Sequence, residues 1–399
     1  MNDQKISTLL VLLALNLATL LQGCALPTRL PAVPQDVADQ AEVPGMPGVR
    51  YVAVGDMTQF MLDWEQAFEA EMIFRAKTGQ QDSLPTVNFL ALSGGGDDGA
   101  FGAGLLNGWT DAGNRPEFRL VTGVSTGALI APFAFLGSKY DAQLKKFFTS
   151  TSPNDILEKR NLMAVVFDDA LADNKPLWYL LEKEINADML REIAQEHEKG
   201  RRLFISTTNL DTRLSVIWNM TKIAASGHPQ SLELFRKIMM ASAAIPAAFP
   251  PVMIDVVVGD KQYQEMHVDG GASREVFIYP VKFKLNEFAA KANAHRERKM
   301  YIIRNSRLDP DWAEVDRRTY SIAEKAIASL IRTQGIGDLF RLYATSQRDG
   351  VDYNLAYIPS TFKTLHIEEF DTNYMRELFK LGYEAAAAGY PWEKVPPGF

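Results

Sequence analysis

Two strand–glycine–helix junctions constrain this chain more than anything else in it. The second is the sharper. An apolar-led run, Phe118-Arg119-Leu120-Val121, enters Gly123-Val124-Ser125-Thr126-Gly127, and a second apolar run, Ala128 to Leu136, leaves it. The first run reads as a buried strand and the second as a buried helix. Gly-x-Ser-x-Gly between strand and helix is the pattern of a nucleophile elbow. A β-carbon at Gly123 or Gly127 would collide with the neighbouring strand or helix, and the serine backbone at such a turn is strained. The turn holds the Ser125 hydroxyl at the C-terminal edge of its strand. A helix N-terminus behind it favours developing negative charge. A strand–helix turn with an incidental serine has the same local form, so the reading depends on what accompanies it.

The first junction is Val87-Asn88-Phe89-Leu90-Ala91-Leu92, a strand, running into Ser93-Gly94-Gly95-Gly96-Asp97-Asp98-Gly99 and then a helix. Three consecutive glycines leave backbone N–H groups bare and convergent, a nest that binds an anion. The spacing is not Gly-x-Gly-x-x-Gly, and no Lys-Ser/Thr follows as a phosphate loop requires. An oxyanion hole built from Gly94, Gly95 and Gly96 fits better, because the loop precedes the serine elbow by one helix and one strand. In that topology the two strands are neighbours and their C-terminal ends share one edge.

A third piece closes a later strand. Gln262 to Val268 leads into Asp269-Gly270-Gly271. An aspartate ending an apolar strand lies at the edge where catalytic groups gather, and Gly270 and Gly271 keep the space beside it open. The plain alternative is an Asp-Gly turn.

The chain of 399 residues, 47% hydrophobic, is ample for one large α/β domain or two smaller ones. Its formal net charge of −7 argues against nucleic acid as a partner. With five histidines and the single Cys24, no thiol-rich zinc site or internal disulfide can be built, and no ligand cluster stands at metal spacing. No cofactor is expected.

Residues 1–23 read as a signal peptide: Lys5, then an almost wholly apolar Leu9 to Leu21, then Leu21-Gln22-Gly23-Cys24. The ending resembles a bacterial lipoprotein signal, whose cysteine is lipidated and becomes the new N-terminus. Several acyl chains on Cys24 would attach the protein stably to a membrane. With Ala25 after the cysteine, where the usual inner-membrane retention signal has Asp, the resemblance implies the outer membrane of the bacterial envelope. Residues 24–48, with Pro27, Pro31, Pro34, Pro44 and Pro47, read as an extended, poorly packed tether. An N-terminal helical extension is expected over 49–85, on the helical spacing of Phe60, Trp64, Ala67, Phe68 and Met72. A catalytic core follows over 86–285, with C-terminal strands and helices over 286–399 packed on it.

Together the glycine loop, Gly123-x-Ser125-x-Gly127 and Asp269-Gly270-Gly271 resemble the three signatures of patatin-like phospholipases. The run Ala241 to Pro251 is similar to that family's segment ahead of its aspartate. The resemblance implies a three-layer α/β/α fold with a central, mostly parallel sheet. It also implies a Ser125–Asp269 dyad hydrolysing acyl esters of lipids without a metal: Ser125 as nucleophile, Asp269 as base, the glycine loop as oxyanion hole. An acyltransferase would use the same acyl-enzyme, and a lipid-binding lipoprotein without turnover is the non-enzyme alternative.

One departure stands out. Many relatives carry Arg or Lys just before the last glycine of the loop, where this chain has Asp98 beside Asp97. Two carboxylates at the mouth are expected to repel anionic headgroups. Chain order also leaves a triad open, because Ser125, Asp269 and His366 follow the sequence of an α/β-hydrolase. His366 falls in an apparent strand, Thr364 to Ile367. His267 shares a strand face with Asp269 and reads as a structural neighbour.

Overall fold

Five strands of like direction carry the junctions, and their order brings the glycine loops to one edge. The computed structural model describes residues 29–80, 83–159, 172–309, 312 and 314–398. Cys24 and the signal segment therefore lie outside the described residues. The strands of the main sheet are β1 (Arg50–Val52), β2 (Val87–Leu92), β3 (Leu120–Gly123), β4 (Arg202–Asn209), β5 (Leu214–Asn219), β6 (Val252–Val258), β7 (Lys261–Asp269), β8 (Arg298–Arg307) and β9 (Asp352–Ile358). Their order is β1-β5-β4-β3-β2-β8-β9. Strands β4, β3, β2, β8 and β9 run parallel, each to the next, while β5 and β1 continue the sheet antiparallel. Parallel strands are buried on both faces, and every residue of β2, β3 and β4 except Asn88 is buried. Helices cover one face, among them Gly99–Asp111, Thr126–Leu136 and Thr372–Ala387. Helix Thr58–Lys77 packs with Tyr279, Phe283 and Leu339 on the other.

The placement of β7 matters most for function. Strand β3 pairs with the first half of β4, up to Gly123 opposite Ile205, and then turns away at the elbow. Strand β7 arrives antiparallel from the opposite direction and pairs with the second half, Asp269 opposite Thr207. One strand leaves the position beside β4 and another takes it up two residues later, a distance of roughly 7 Å along β4. The end of β3, which leads into Ser125, and the end of β7, which carries Asp269, therefore face each other along β4.

Four expectations are corrected. The proline-rich stretch is no loose tether from Arg29 onward. Val33, Ala41, Val43 and Met46 are buried in the main core. Glu42 and Val257 exchange backbone hydrogen bonds of 3.0 and 2.9 Å, and Arg29 pairs with Asp211. Prolines are excluded from central strands but tolerated along an edge, and here the apolar residues between them fill that edge. The segment 49–85 is more than a helix, since Arg50–Val52 forms the outermost strand of the sheet. Nor does the C-terminal part merely pack on a finished core: β8 lies between β2 and β9 inside the sheet. Thr364–Ile367 is a loop, not a strand.

Candidate active site

Ser125 has φ 54° and ψ −125°, a conformation that side chains rarely adopt. Both elbow glycines are required. A β-carbon on Gly123 would strike the Gly127 carbonyl, and one on Gly127 would strike the Leu92 and Ser93 carbonyls. The strained peptide is held from outside the motif. Ser242, fully buried at the end of helix Ser231–Ser242, accepts the Ser125 N–H at 2.9 Å and donates to the Ser206 carbonyl at 2.8 Å. One hydroxyl thus ties the elbow to β4.

The glycine loop is braced by β8. Asn305 donates from its backbone N–H to Ser93 Oγ (2.8 Å) and from its side chain to the Ser93 carbonyl (2.9 Å), and accepts the Gly102 N–H (3.1 Å). Gly95, at φ 150°, lies so close to the Asn305 carbonyl that no β-carbon fits. Gly96, at φ 59°, faces open space. Of the three amides expected to be free, Gly94 is not: its N–H donates to the Glu275 carbonyl at 3.2 Å. Among the described residues no acceptor takes the N–H of Gly95 or Gly96, nor that of Thr126 in the first turn of the helix after Ser125. The amides left without an acceptor at the two junctions are therefore Gly95, Gly96 and Thr126.

Asp269 is buried, with Oδ1 accepting the Gly271 N–H at 2.7 Å. Oδ2 is buried without a partner in full hydrogen-bond geometry. Burial pushes this carboxyl up to about 7, and the nearby Ser125 hydroxyl and the Gly271 N–H pull it partly back. A base whose proton affinity lies near neutrality suits proton abstraction from an alcohol better than an ordinary carboxylate does.

A second carboxyl stands beside it. Glu275 is buried, raised to about 8 by burial and by the charge of Asp269, with Arg304 acting in the opposite direction. Nothing in the local sequence Ala272-Ser273-Arg274-Glu275 marks it, since it reads as one more surface charge. Ser242 and Asn305 were equally silent. Each acts across the fold, and no spacing rule points to them.

Against Ser125 lies an apolar pocket lined by Leu129, Phe147, Phe148, Leu177, Ile245 and Phe249, with Ser125 and Gly96 in its wall. Phe370 closes part of it from the loop that carries His366.

Neither candidate histidine bonds Ser125 or Asp269. His267 is fully buried between Thr207 Oγ1 (2.8 Å) and Glu265 (3.0 Å). His366 bonds Asp97 at 2.6 Å. Asp97 also accepts the Phe370 N–H at 2.9 Å, and Asp98 accepts the Tyr374 hydroxyl at 2.6 Å. The two carboxylates expected to line the mouth are thus engaged with the His366 loop and the C-terminal helix.

Residues 90–281 match the family model of patatin-like phospholipase. The matched segment contains the glycine loop, the elbow and Asp269-Gly270-Gly271. With the mostly parallel sheet between helices, this is the patatin-like α/β/α fold. No curated protein matches the sequence. Among solved structures, VipD from Legionella pneumophila is similar at TM-score 0.37 and 12% identity, over 76% of this chain and 66% of that one. The type III effector protein ExoU is similar at TM-score 0.31 and 12% identity, over 77% of this chain and 53% of that one. The chain spans just under two thirds of the first and about half of the second.

Proposed function

We propose that the protein is a serine hydrolase of lipid acyl esters, with Ser125 as nucleophile and Asp269 as its base. The observation that supports this reading is the pairing of β7 on β4 two residues beyond the elbow, with the Ser125 hydroxyl near enough to the buried Asp269 carboxyl to lower it. The Ser125 proton passes to Asp269 as Oγ attacks the ester carbonyl. The oxyanion is received by the Gly95, Gly96 and Thr126 amides at a helix N-terminus, an arrangement whose individual donors are worth on the order of 3 kcal/mol elsewhere. Water, activated by Asp269, then releases the acid from the acyl-enzyme.

The apolar cavity supports an acyl chain as the bound group: six large apolar side chains surround the space next to the nucleophile. The patatin-like phospholipase match over 90–281 supports the lipid class of the ester. Attachment to the outer membrane through lipidated Cys24 belongs to the same proposal, and loss of palmitate incorporation in Cys24→Ala tests it.

A fluorophosphonate probe tests the nucleophile. Wild type is expected to be labelled and Ser125→Ala not, with Ser125→Ala and Asp269→Asn both losing hydrolysis of a lysophospholipid by about 100-fold or more. Labelling of Ser125→Ala at the wild-type rate overturns the assignment.

A further inference from the structure

We propose that Glu275 is the catalytic acid of this site, donating the proton that the departing alkoxide takes up. The inference rests on the hydrolase reading above and adds a residue that neither the motifs nor the family match assigns.

Ser125 Cβ and Glu275 Oε1 lie 3.0 and 2.8 Å from the one point where a β-carbon on Gly94 would sit. The nucleophile and this carboxyl therefore share the bare face of Gly94. At Gly271, Glu275 Oε2 and Asp269 Oδ1 lie 2.6 and 3.1 Å from the corresponding point. The missing side chain of Gly271 is what lets the two carboxyls approach each other. Neither Asp269 nor Glu275 lines the acyl cavity, whose wall contains Ser125 and Gly96. On this proposal, an ester with its acyl chain in that cavity turns its alcohol toward the Gly94 face that Ser125 and Glu275 share.

The surroundings prepare Glu275 for this work. Its backbone N–H donates to Asp338 Oδ2 at 2.8 Å, fixing the residue to helix Thr319–Asp349. Asp269 on β7 and Asp338 on that helix oppose its ionisation. Arg304 on β8 favours it. Arg274 and Arg341 face Asp338 rather than Glu275. Burial and the Asp269 charge keep the proton on Glu275 up to about pH 8. Arg304 is itself 1% exposed, with Nη1 unpartnered among the described residues, and a β-carbon on Gly335 would come within 2.6 Å of Nη1 and 2.8 Å of Glu275 Cγ. A guanidinium so placed stabilises the carboxylate left when the proton departs.

The protons balance. In acylation the Ser125 proton moves to Asp269 as the Oγ–carbon bond forms and the carbonyl π pair moves to oxygen. When that pair returns, the bond to the alcohol oxygen breaks with its electrons, and the Glu275 proton goes to that oxygen. Asp269 is then protonated and Glu275 ionised. The proton crosses the gap at Gly271, restoring the pair before water attacks. In deacylation Asp269 takes a proton from water and returns it to Ser125 Oγ.

The test uses the full-length protein and two esters of one acid, ethyl octanoate and 4-nitrophenyl octanoate, compared by kcat/KM, which reports acylation. Nitrophenolate departs without a proton and ethoxide does not. Glu275→Gln is expected to lose about 100-fold or more on the ethyl ester and less than about tenfold on the nitrophenyl ester. An equal loss on both esters means a structural role and overturns the proposal, as does no loss on either. A second measurement needs no variant: in wild type the ratio of ethyl to nitrophenyl kcat/KM is expected to fall about tenfold per pH unit above about pH 8, and a flat ratio overturns the proposal. If wild type cleaves neither ester, or Ser125→Ala cleaves both, the hydrolase reading itself fails, an outcome distinct from failure of the Glu275 assignment.

Discussion

Replacing Asp269 by Asn is expected to destroy activity and to stabilise the fold at alkaline pH. The carboxyl rises from its ordinary 3.8 to about 7 on folding, chiefly because burial disfavours its charge. Between those values the folded protein holds a proton that the unfolded chain has released, so stability falls as pH rises. At about 1.4 kcal/mol per pH unit, the ionised form costs the folded state about 4 kcal/mol above pH 7, of which about 3 kcal/mol accrues above pH 5. Glu275 belongs to the same coupled pair, so its contribution does not add independently. Asn is a permanent analogue of the protonated form, and its Oδ1 can still accept the Gly271 N–H. For a chain of 399 residues, an unfolding entropy of about 2.1 cal/mol/K per residue amounts to about 0.8 kcal/mol/K. The midpoint of Asp269→Asn relative to wild type is then expected to rise by roughly 3–4 °C between pH 5 and pH 8.5. Thermal melts followed by circular dichroism at a fixed scan rate measure it. A difference that is flat with pH, or that shrinks, refutes the argument that the buried, half-satisfied carboxylate strains the native state.

Three further outcomes follow from the same geometry. Ser242→Ala leaves the Ser125 N–H and the Ser206 carbonyl unsatisfied in the core, so a loss of about 2–4 kcal/mol in urea unfolding is expected. Part of that loss should disappear in a Ser125→Gly background, where the positive φ is no longer strained. Gly96→Ala meets no atom within 4 Å, so its penalty is the backbone conformation alone, about 1 kcal/mol. Gly95→Ala meets the Asn305 carbonyl, and its loss of stability and activity should be much the larger of the two. Leu129→Trp fills the acyl cavity, and kcat/KM should shift toward shorter acyl chains, measured across 4-nitrophenyl esters from acetate to palmitate.

What was legible in the chain is what the backbone had to announce locally. The elbow needs glycines at 123 and 127 because carbonyls stand where β-carbons would go, and that demand is written within five residues. The glycine loop is legible for a similar reason at Gly95, but the fate of the Gly94 N–H is not, because its acceptor lies on Glu275, far along the chain. Strand order is hidden too. Nothing within Arg298–Arg307 says that it sits beside Val87–Leu92 rather than at the margin. Glu275, Ser242 and Asn305 share this limit: each has ordinary local surroundings and acquires its role only when strands from elsewhere arrive. The proline-rich stretch misled in the opposite way. Its local composition reads as a tether, and only the edge of β6 and β7 gives Val33, Val43 and Met46 something to bury against.

The same distinction governs headgroup preference. Read as sequence, Asp97 and Asp98 place two negative charges at the mouth. In the fold, Asp97 is hydrogen-bonded to His366, which raises the imidazole to about 9, and Asp98 is raised to about 7 by burial, with Arg307 acting to lower it. Glu369 is raised as well, by burial and by Asp97. Near pH 6 His366 carries a proton beside Asp97 and Asp98 is largely protonated, so the repulsion of an anionic headgroup is mostly cancelled. Each unit of negative charge added about 10 Å away is worth about 0.8 kcal/mol at an intermediate dielectric of about 40, roughly a fourfold change in rate ratio. The ratio of kcat/KM for a phosphatidylglycerol over a phosphatidylcholine of identical chains is therefore expected to lie near unity at pH 6. It should fall about fourfold as Asp98 ionises through pH 7, and again as His366 loses its proton through pH 9. His366→Gln removes the cation outright, so its ratio should already be about fourfold below wild type at pH 6, with no second fall near pH 9. A ratio that does not move from pH 6 to 10 in wild type, or that His366→Gln leaves untouched, would show that these charges do not reach the bound headgroup.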